Sequence, residues 1–167
     1  MSEDLIKGLD EPNLDLNKIK DLLASGQKIA IVAARFNANL VNQMVNGALA
    51  QLQDLGIDKS QVDIFRVPGA FELPFITKKC AVSKKYAGII AFGVVIKGDT
   101  DHYNYICTES TRGLMKVMLK EQVPVAMGVL TTNNLQQAQQ RAEVKQENKG
   151  AEVTRSLLEM IDLTSKF

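Results

Sequence analysis

Four apolar runs divide the chain: Lys28–Ala34 (KIAIVAA), Val62–Val67 (VDIFRV), Ala87–Ile96 (AGIIAFGVVI) and Val123–Leu130 (VPVAMGVL). Their length and β-branched content predict strands. The first, third and fourth are almost continuously apolar instead of alternating, as a strand must be when helices cover both of its faces, and this predicts a parallel sheet. Between the first two runs, Leu40, Met44, Ala48, Leu52 and Leu55 recur at helical spacing, and Gly56 follows where a helix end favours glycine. A second helix is predicted from Ala70 to about Lys85, and a third is marked by Ile106, Leu114, Val117 and Met118 ahead of Pro124. The tail holds no further strand; Leu135, Ala138 and Ala142 predict one helix, and Thr154, Leu157, Leu158 and Ile161 a last one.

This alternation describes an α/β fold, a three-layer αβα sandwich around a four-stranded parallel, flavodoxin-like sheet. A chain of 167 residues encloses one such core, so residues 27–167 are expected to form a single domain and residues 1–26 an N-terminal extension. Within that extension Asp15–Ser25 stays open between a short helix and a mobile arm, because Pro12 and scattered glycines and acids argue against regular structure.

A hydrophobic content of 46% with a net charge of +1 fits a folded globular protein and disfavours both disorder and electrostatic binding of nucleic acid. Cys80 and Cys107 lack the paired spacing of a zinc or redox motif and read as small buried residues suited to a reducing compartment. The opening MSEDLIKGLDEPN has no apolar core of signal-peptide length, and no run approaches the roughly 20 apolar residues of a membrane span. A cytoplasmic protein without membrane attachment is the expectation.

Ligands of open parallel sheets bind outside the carboxyl ends of the strands, where helix N-termini present free N–H groups. That rule selects Arg35-Phe36-Asn37, Pro68–Glu72, Lys97–His102 and Thr131-Thr132-Asn133. The third loop brings Gly98, Asp99, Thr100 and Asp101 to a helix start carrying His102, the only histidine of the chain. Such a turn offers backbone donors to an anion, and an imidazole there suits proton relay near neutral pH. From position alone, His102 as an ordinary loop residue has about even odds. The loop is not a Walker sequence, so ATP hydrolysis gains no support.

From Lys28 to the last helix, the ordered segments RFN, VPGAFELP, GVVIKGDTDHYNY, PVAMGVLTT, QQRA and NKGAE resemble the lumazine synthase family. The resemblance implies a transferase of riboflavin biosynthesis that joins 5-amino-6-(D-ribitylamino)uracil to 3,4-dihydroxy-2-butanone 4-phosphate, giving 6,7-dimethyl-8-ribityllumazine without cofactor or metal. Carried over by residue, it implies that Phe36 stacks on the pyrimidine, that Ala70, Phe71 and Glu72 hold the ribityl chain, and that main-chain groups of Val94, Val95 and Ile96 read the pyrimidine edge. Asp99 and Thr100 match the phosphate-binding turn, Arg141 the arginine that pairs with that phosphate from a neighbouring subunit, and His102 the general acid/base. Lys149 matches a ligand-facing lysine.

The chain departs from the commonest family pattern at several positions. Lys97 replaces an arginine, Met127 replaces a phenylalanine beside the pyrimidine, and Glu143 and Glu147 stand where glycines are common in the bend between the last helices. The resemblance also implies a homopentamer, with an icosahedral 60-mer of twelve pentamers as the further alternative. Two other readings share the scaffold: an archaeal-type riboflavin synthase, and a non-catalytic flavin- or pterin-binding shell protein.

Overall fold

The computed structural model describes residues 14–167. The first half of the expected N-terminal extension therefore lies outside the described residues. The second half is a helix, α1 (Leu16–Ala24), whose start is capped by the Asp15 carboxylate accepting from the Lys18 N–H at 3.1 Å. Ile19 and Leu23, four residues apart and so on one face of α1, are buried in the core.

Four strands follow, β1 (Lys28–Ala34), β2 (Val62–Val67), β3 (Tyr86–Ile96) and β4 (Val125–Thr132), all parallel and in the order β2-β1-β3-β4. They agree with the four apolar runs to within two residues at each end. Helices α2 (Ala38–Asp54), α3 (Leu73–Val82) and α4 (His102–Glu121) make the crossovers, and α5 (Leu135–Ala142) and α6 (Lys149–Thr164) close the chain. Alternate residues of β1 feed two separate cores: Ile29, Ile31 and Ala33 pack with α1, α2 and α6, while Ala30, Val32 and Ala34 pack with α3 and α4.

Two expectations are corrected. The second helix is shorter than Ala70–Lys85: Ala70–Glu72 form a 3₁₀ turn, α3 begins at Leu73, and Lys84 leaves in the left-handed region at φ 59°. The fourth run is not covered on both faces within the chain. As the sheet's edge, β4 has one strand neighbour, and Met127 remains 51% exposed. Apolar continuity alone does not separate an edge strand covered within its chain from one left open.

The last bend brings α6 hard against α2. Asn148 starts α6 in the left-handed region (φ 46°), its side chain accepting from the Ala151 N–H at 3.2 Å, and Gly150 follows where a methyl group would collide with the Met44 carbonyl of α2. At the opposite end of the sheet from the strand carboxyl ends, Asp63 accepts from Lys28 Nζ at 2.8 Å and from the Tyr86 hydroxyl at 2.9 Å. The Lys28 bond outweighs desolvation and holds Asp63 below the ordinary carboxylate range. Burial and then the Asp63 bond push the Tyr86 phenol up to about 12.

Two outcomes are expected. Gly150→Ala separates α6 from α2 and lowers stability by about 1–3 kcal/mol in urea unfolding. Asp63, whose value is depressed on folding, contributes stability that is complete above the ordinary carboxylate value and is lost as pH falls through its lower folded value. Tyr86, whose value is raised, contributes stability that is complete below the ordinary phenol value and is lost as pH rises through about 12. Asp63→Asn therefore flattens both the acid and the alkaline limb of the stability curve; limbs as steep as those of the unaltered chain would refute this.

Candidate active site

The chain runs from β1 outward to β2, then returns across β1 to β3 and continues to β4. Between β1 and β3 the crossovers leave in opposite directions, which opens a crevice at the carboxyl ends of these two strands. A cleft of about 600 Å³ lies there, bounded by the loops after β1, β2 and β3 and by the start of α4.

Three loops form it, each fixed by backbone bonds. Arg35 and Phe36 donate to the carbonyls of Val67 and Pro68 at 2.8 and 3.0 Å, which extends the β1–β2 ladder and leaves the Phe36 ring 72% exposed at the mouth. Asn37 takes the left-handed region at φ 57°, a conformation asparagine tolerates. Its side chain does not cap α2 but donates to the Val94 carbonyl at 2.9 Å, tying the loop after β1 to the end of β3. In the loop after β2, the Gly69 N–H donates to Glu72 Oε2 at 2.9 Å, so the carboxylate is held over the 3₁₀ turn that carries Ala70 and Phe71.

The loop after β3 leads into the N-terminus of α4, a helix of 20 residues. Asp101 makes no side-chain cap; instead the Thr100 hydroxyl accepts from the His102 N–H at 3.4 Å. A methyl group at Gly98 would meet no protein atom within 4 Å, and this glycine has no positive φ, so the protein itself does not require it. The start of α4 thus brings an exposed imidazole into the same cleft as Phe36 and Glu72, with the His102, Asn104 and Tyr105 N–H groups already paired within the turn.

Of the residues singled out from sequence, Phe36, Ala70, Phe71, Glu72, Val94, Val95, Ile96, Thr100 and His102 line this cleft together. Asp99 is in the same loop, exposed and outside the lining. Met127 lies on the open edge strand, and Arg141 lies in the last turn of α5 with Nη1 donating to the Gln137 carbonyl at 3.0 Å; neither reaches the cleft of its own chain. Lys149 pairs with Glu152 at 2.6 Å at the start of α6.

The sequence reading named Asn37 and Tyr103 only within their segments and Ile106 only as a helix marker, and gave none of the three a role in the site. Tyr103 and Ile106 line the cleft, and their spacing from Ser110 and Leu114 on one helical face was a usable signal. Burial pushes the Tyr103 phenol above its ordinary value, with the Cys107 thiol acting in the same direction and the Thr131 hydroxyl opposing. Burial likewise raises the Cys107 thiol, which keeps it protonated and unreactive. Among the described residues no three histidine, cysteine or carboxylate side chains stand together as metal ligands.

The arrangement suits a flat ring between aromatic and aliphatic walls, a hydroxylated chain on the turn near Glu72, an anion at the start of α4, and proton transfer by His102. Residues 26–165 match the family model described as 6,7-dimethyl-8-ribityllumazine synthase. A relative of that name from Leuconostoc mesenteroides is 48% identical over 146 residues, covering 87% of this chain and 94% of the relative. Another of the same name, from Desulfovibrio desulfuricans, is 46% identical over 138 residues, covering 83% and 88%.

Asn37 supplies the test of this geometry. Asn37→Ala is expected to cost about 1–2 kcal/mol for the left-handed backbone together with about 1 kcal/mol for the orphaned Val94 carbonyl. Asn37→Gly should lose only the hydrogen bond, so urea unfolding places it between the alanine variant and the parent; equal stabilities of the two variants would show that the loop is not held this way.

Proposed function

The chain belongs to the 6,7-dimethyl-8-ribityllumazine synthase family, and we infer that it condenses 5-amino-6-(D-ribitylamino)uracil with 3,4-dihydroxy-2-butanone 4-phosphate to form 6,7-dimethyl-8-ribityllumazine. The observation that carries the reading is the gathering of the aromatic, carboxylate, backbone and imidazole positions at one switch-point cleft. Phe36 stacks on the pyrimidine, main-chain groups of Val94–Ile96 pair with its edge, and Ala70, Phe71 and Glu72 take the ribityl hydroxyls. The second substrate places its phosphate at the start of α4, against Thr100 and its loop neighbour Asp99, where the helix dipole favours an anion.

His102 then stands within the same wall as both substrates. It shuttles protons as the ring amine adds to the ketone and water departs, as phosphate is eliminated, and as the second amine closes the ring on the remaining carbonyl with loss of a second water. A positioned acid/base contributes about 10²–10⁴-fold, whereas holding two reactants in register removes roughly 7–11 kcal/mol of barrier. Positioning dominates the rate.

Arg141 and Met127 complete the site from a second copy of the chain. Three features support this: neither residue reaches its own cleft, β4 is open, and Tyr105, Met115 and Leu119 on one face of α4, with Phe75 of α3, are each more than half exposed. Apolar side chains so clustered are the mark of a covered face. A homopentamer with sites between neighbours satisfies these features, and closed rings of this kind arise from head-to-tail contacts. No helix among the described residues is long and apolar enough to cross a membrane.

The test is to follow appearance of the fluorescent lumazine with both substrates. His102→Ala should slow turnover by about 10²-fold and leave measurable activity. Arg141→Ala should impair use of the phosphate substrate more severely, and subunits of the two variants assembled together should recover activity that neither has alone. Absence of any rate above the uncatalysed background would leave a binding protein; failure of the mixed assembly would place Arg141 outside the site.

A further inference from the structure

In a parallel ladder every second residue of a strand turns both its N–H and its carbonyl toward the same neighbour. The Ile89 N–H donates to the Pro124 carbonyl and the Lys97 N–H to the Thr132 carbonyl, at 2.9 Å each, so Ile89, Ala91, Gly93, Val95 and Lys97 address β4. Phe92, Val94 and Ile96 therefore address the opposite side, where β1 lies. The β1–β3 register ends with Ala33 against Phe92. Continued by one rung, it would bring the Phe36 N–H to the Val94 carbonyl.

The backbone of the chain does not supply that rung. The Phe36 N–H is committed to the Pro68 carbonyl at 3.0 Å, on the β2 side. Asn37, in the left-handed region at φ 57°, supplies it instead, with Nδ2 donating to the Val94 carbonyl at 2.9 Å. A side chain thus stands in for a strand residue, and the Val94 carbonyl is satisfied within the protein although β1 has turned away. Ile96 is the next residue that addresses this side. It lines the cleft, and no β1 residue is paired with it.

We propose that Asn37 is a positioning residue for the pyrimidine substrate: by occupying the Val94 carbonyl it fixes the end of β3, so that the main-chain N–H and carbonyl of Ile96 are the pair offered to the ring edge. The inference rests on the reading of Val94–Ile96 as the pyrimidine-facing segment and narrows that reading to one residue. A uracil edge sets an N–H beside carbonyl oxygens, which matches a residue presenting a donor and an acceptor together. A bare Val94 carbonyl would add a further acceptor that repels the ring oxygens, and it would release the strand end that carries Ile96.

The experiment compares Asn37→Gly and Asn37→Asp in the assembled protein. Glycine and aspartate both tolerate the left-handed backbone, so both variants are expected to fold, which urea unfolding checks. Neither side chain donates to Val94 at neutral pH, and aspartate also sets a carboxylate against that carbonyl. Steady-state kinetics should show KM for the ribitylaminouracil raised about 10-fold in Asn37→Gly and further in Asn37→Asp, with KM for the phosphate substrate within about twofold of the parent. A change that only loosened the loop would lower kcat through loss of active protein and leave the two KM values together. Pyrimidine KM within twofold of the parent in both variants, or equal rises in both KM values, would overturn the proposal. A parent chain that forms no lumazine overturns the functional assignment instead, and equilibrium binding of the ribitylaminouracil alone then decides: weaker binding in the variants sustains the role of Asn37, while equal affinity, or no binding to the parent, refutes it.

Discussion

A parallel sheet obliges each crossover to leave the carboxyl end of one strand and return to the amino end of the next. Here β1 lies between β2 and β3, so the chain must leave it on one side and later come back past it on the other. That reversal forces the loops after β1 and β3 apart, and nothing in the sheet's own hydrogen bonding can fill the space between them. The cleft is thus a consequence of winding order: Phe36 stands on one lip, Val94–Ile96 and Gly98 on the other, and the start of α4 lies across the end. The Asn37–Val94 bond spans the reversal and keeps the two lips at a fixed separation.

Much of the fold was legible because the strands are written twice, in β-branched composition and in apolar continuity. Helix ends were less legible where the terminating residue carried no glycine. Gly56 announced the end of α2, but α3 stops before Lys84, a lysine in the left-handed region that no sequence pattern distinguishes from a helical one. For α1, the residues Ile19 and Leu23 were a true helical pair, outweighed by the turn-forming composition around them; only the presence of α6 to receive them settled the matter in favour of a helix.

The site divides in the same way. Loops at strand ends could be named by rule, and the motif resemblance named residues beside them, including Val94–Ile96, which line the cleft although their side chains read as plain strand core. The role of Asn37 was hidden because it joins two segments far apart in sequence, and such a link exists only once the sheet has been assembled. The exposed stripe of α4 and the uncovered Met127 show the converse case: the apolar positions were legible in sequence, but their exposure in the folded chain was not.

Gly98 carries a different kind of information. Its backbone takes no conformation that demands glycine, and a methyl group there would touch nothing in the protein. An alanine would restrict the unfolded chain and so raise the stability of the empty fold by about 0.4–1 kcal/mol. The chain forgoes that increment at a position where bare backbone faces open space. Packing within the chain therefore gives no reason for glycine here, and substitution at Gly98 separates what the fold requires from what the cleft requires.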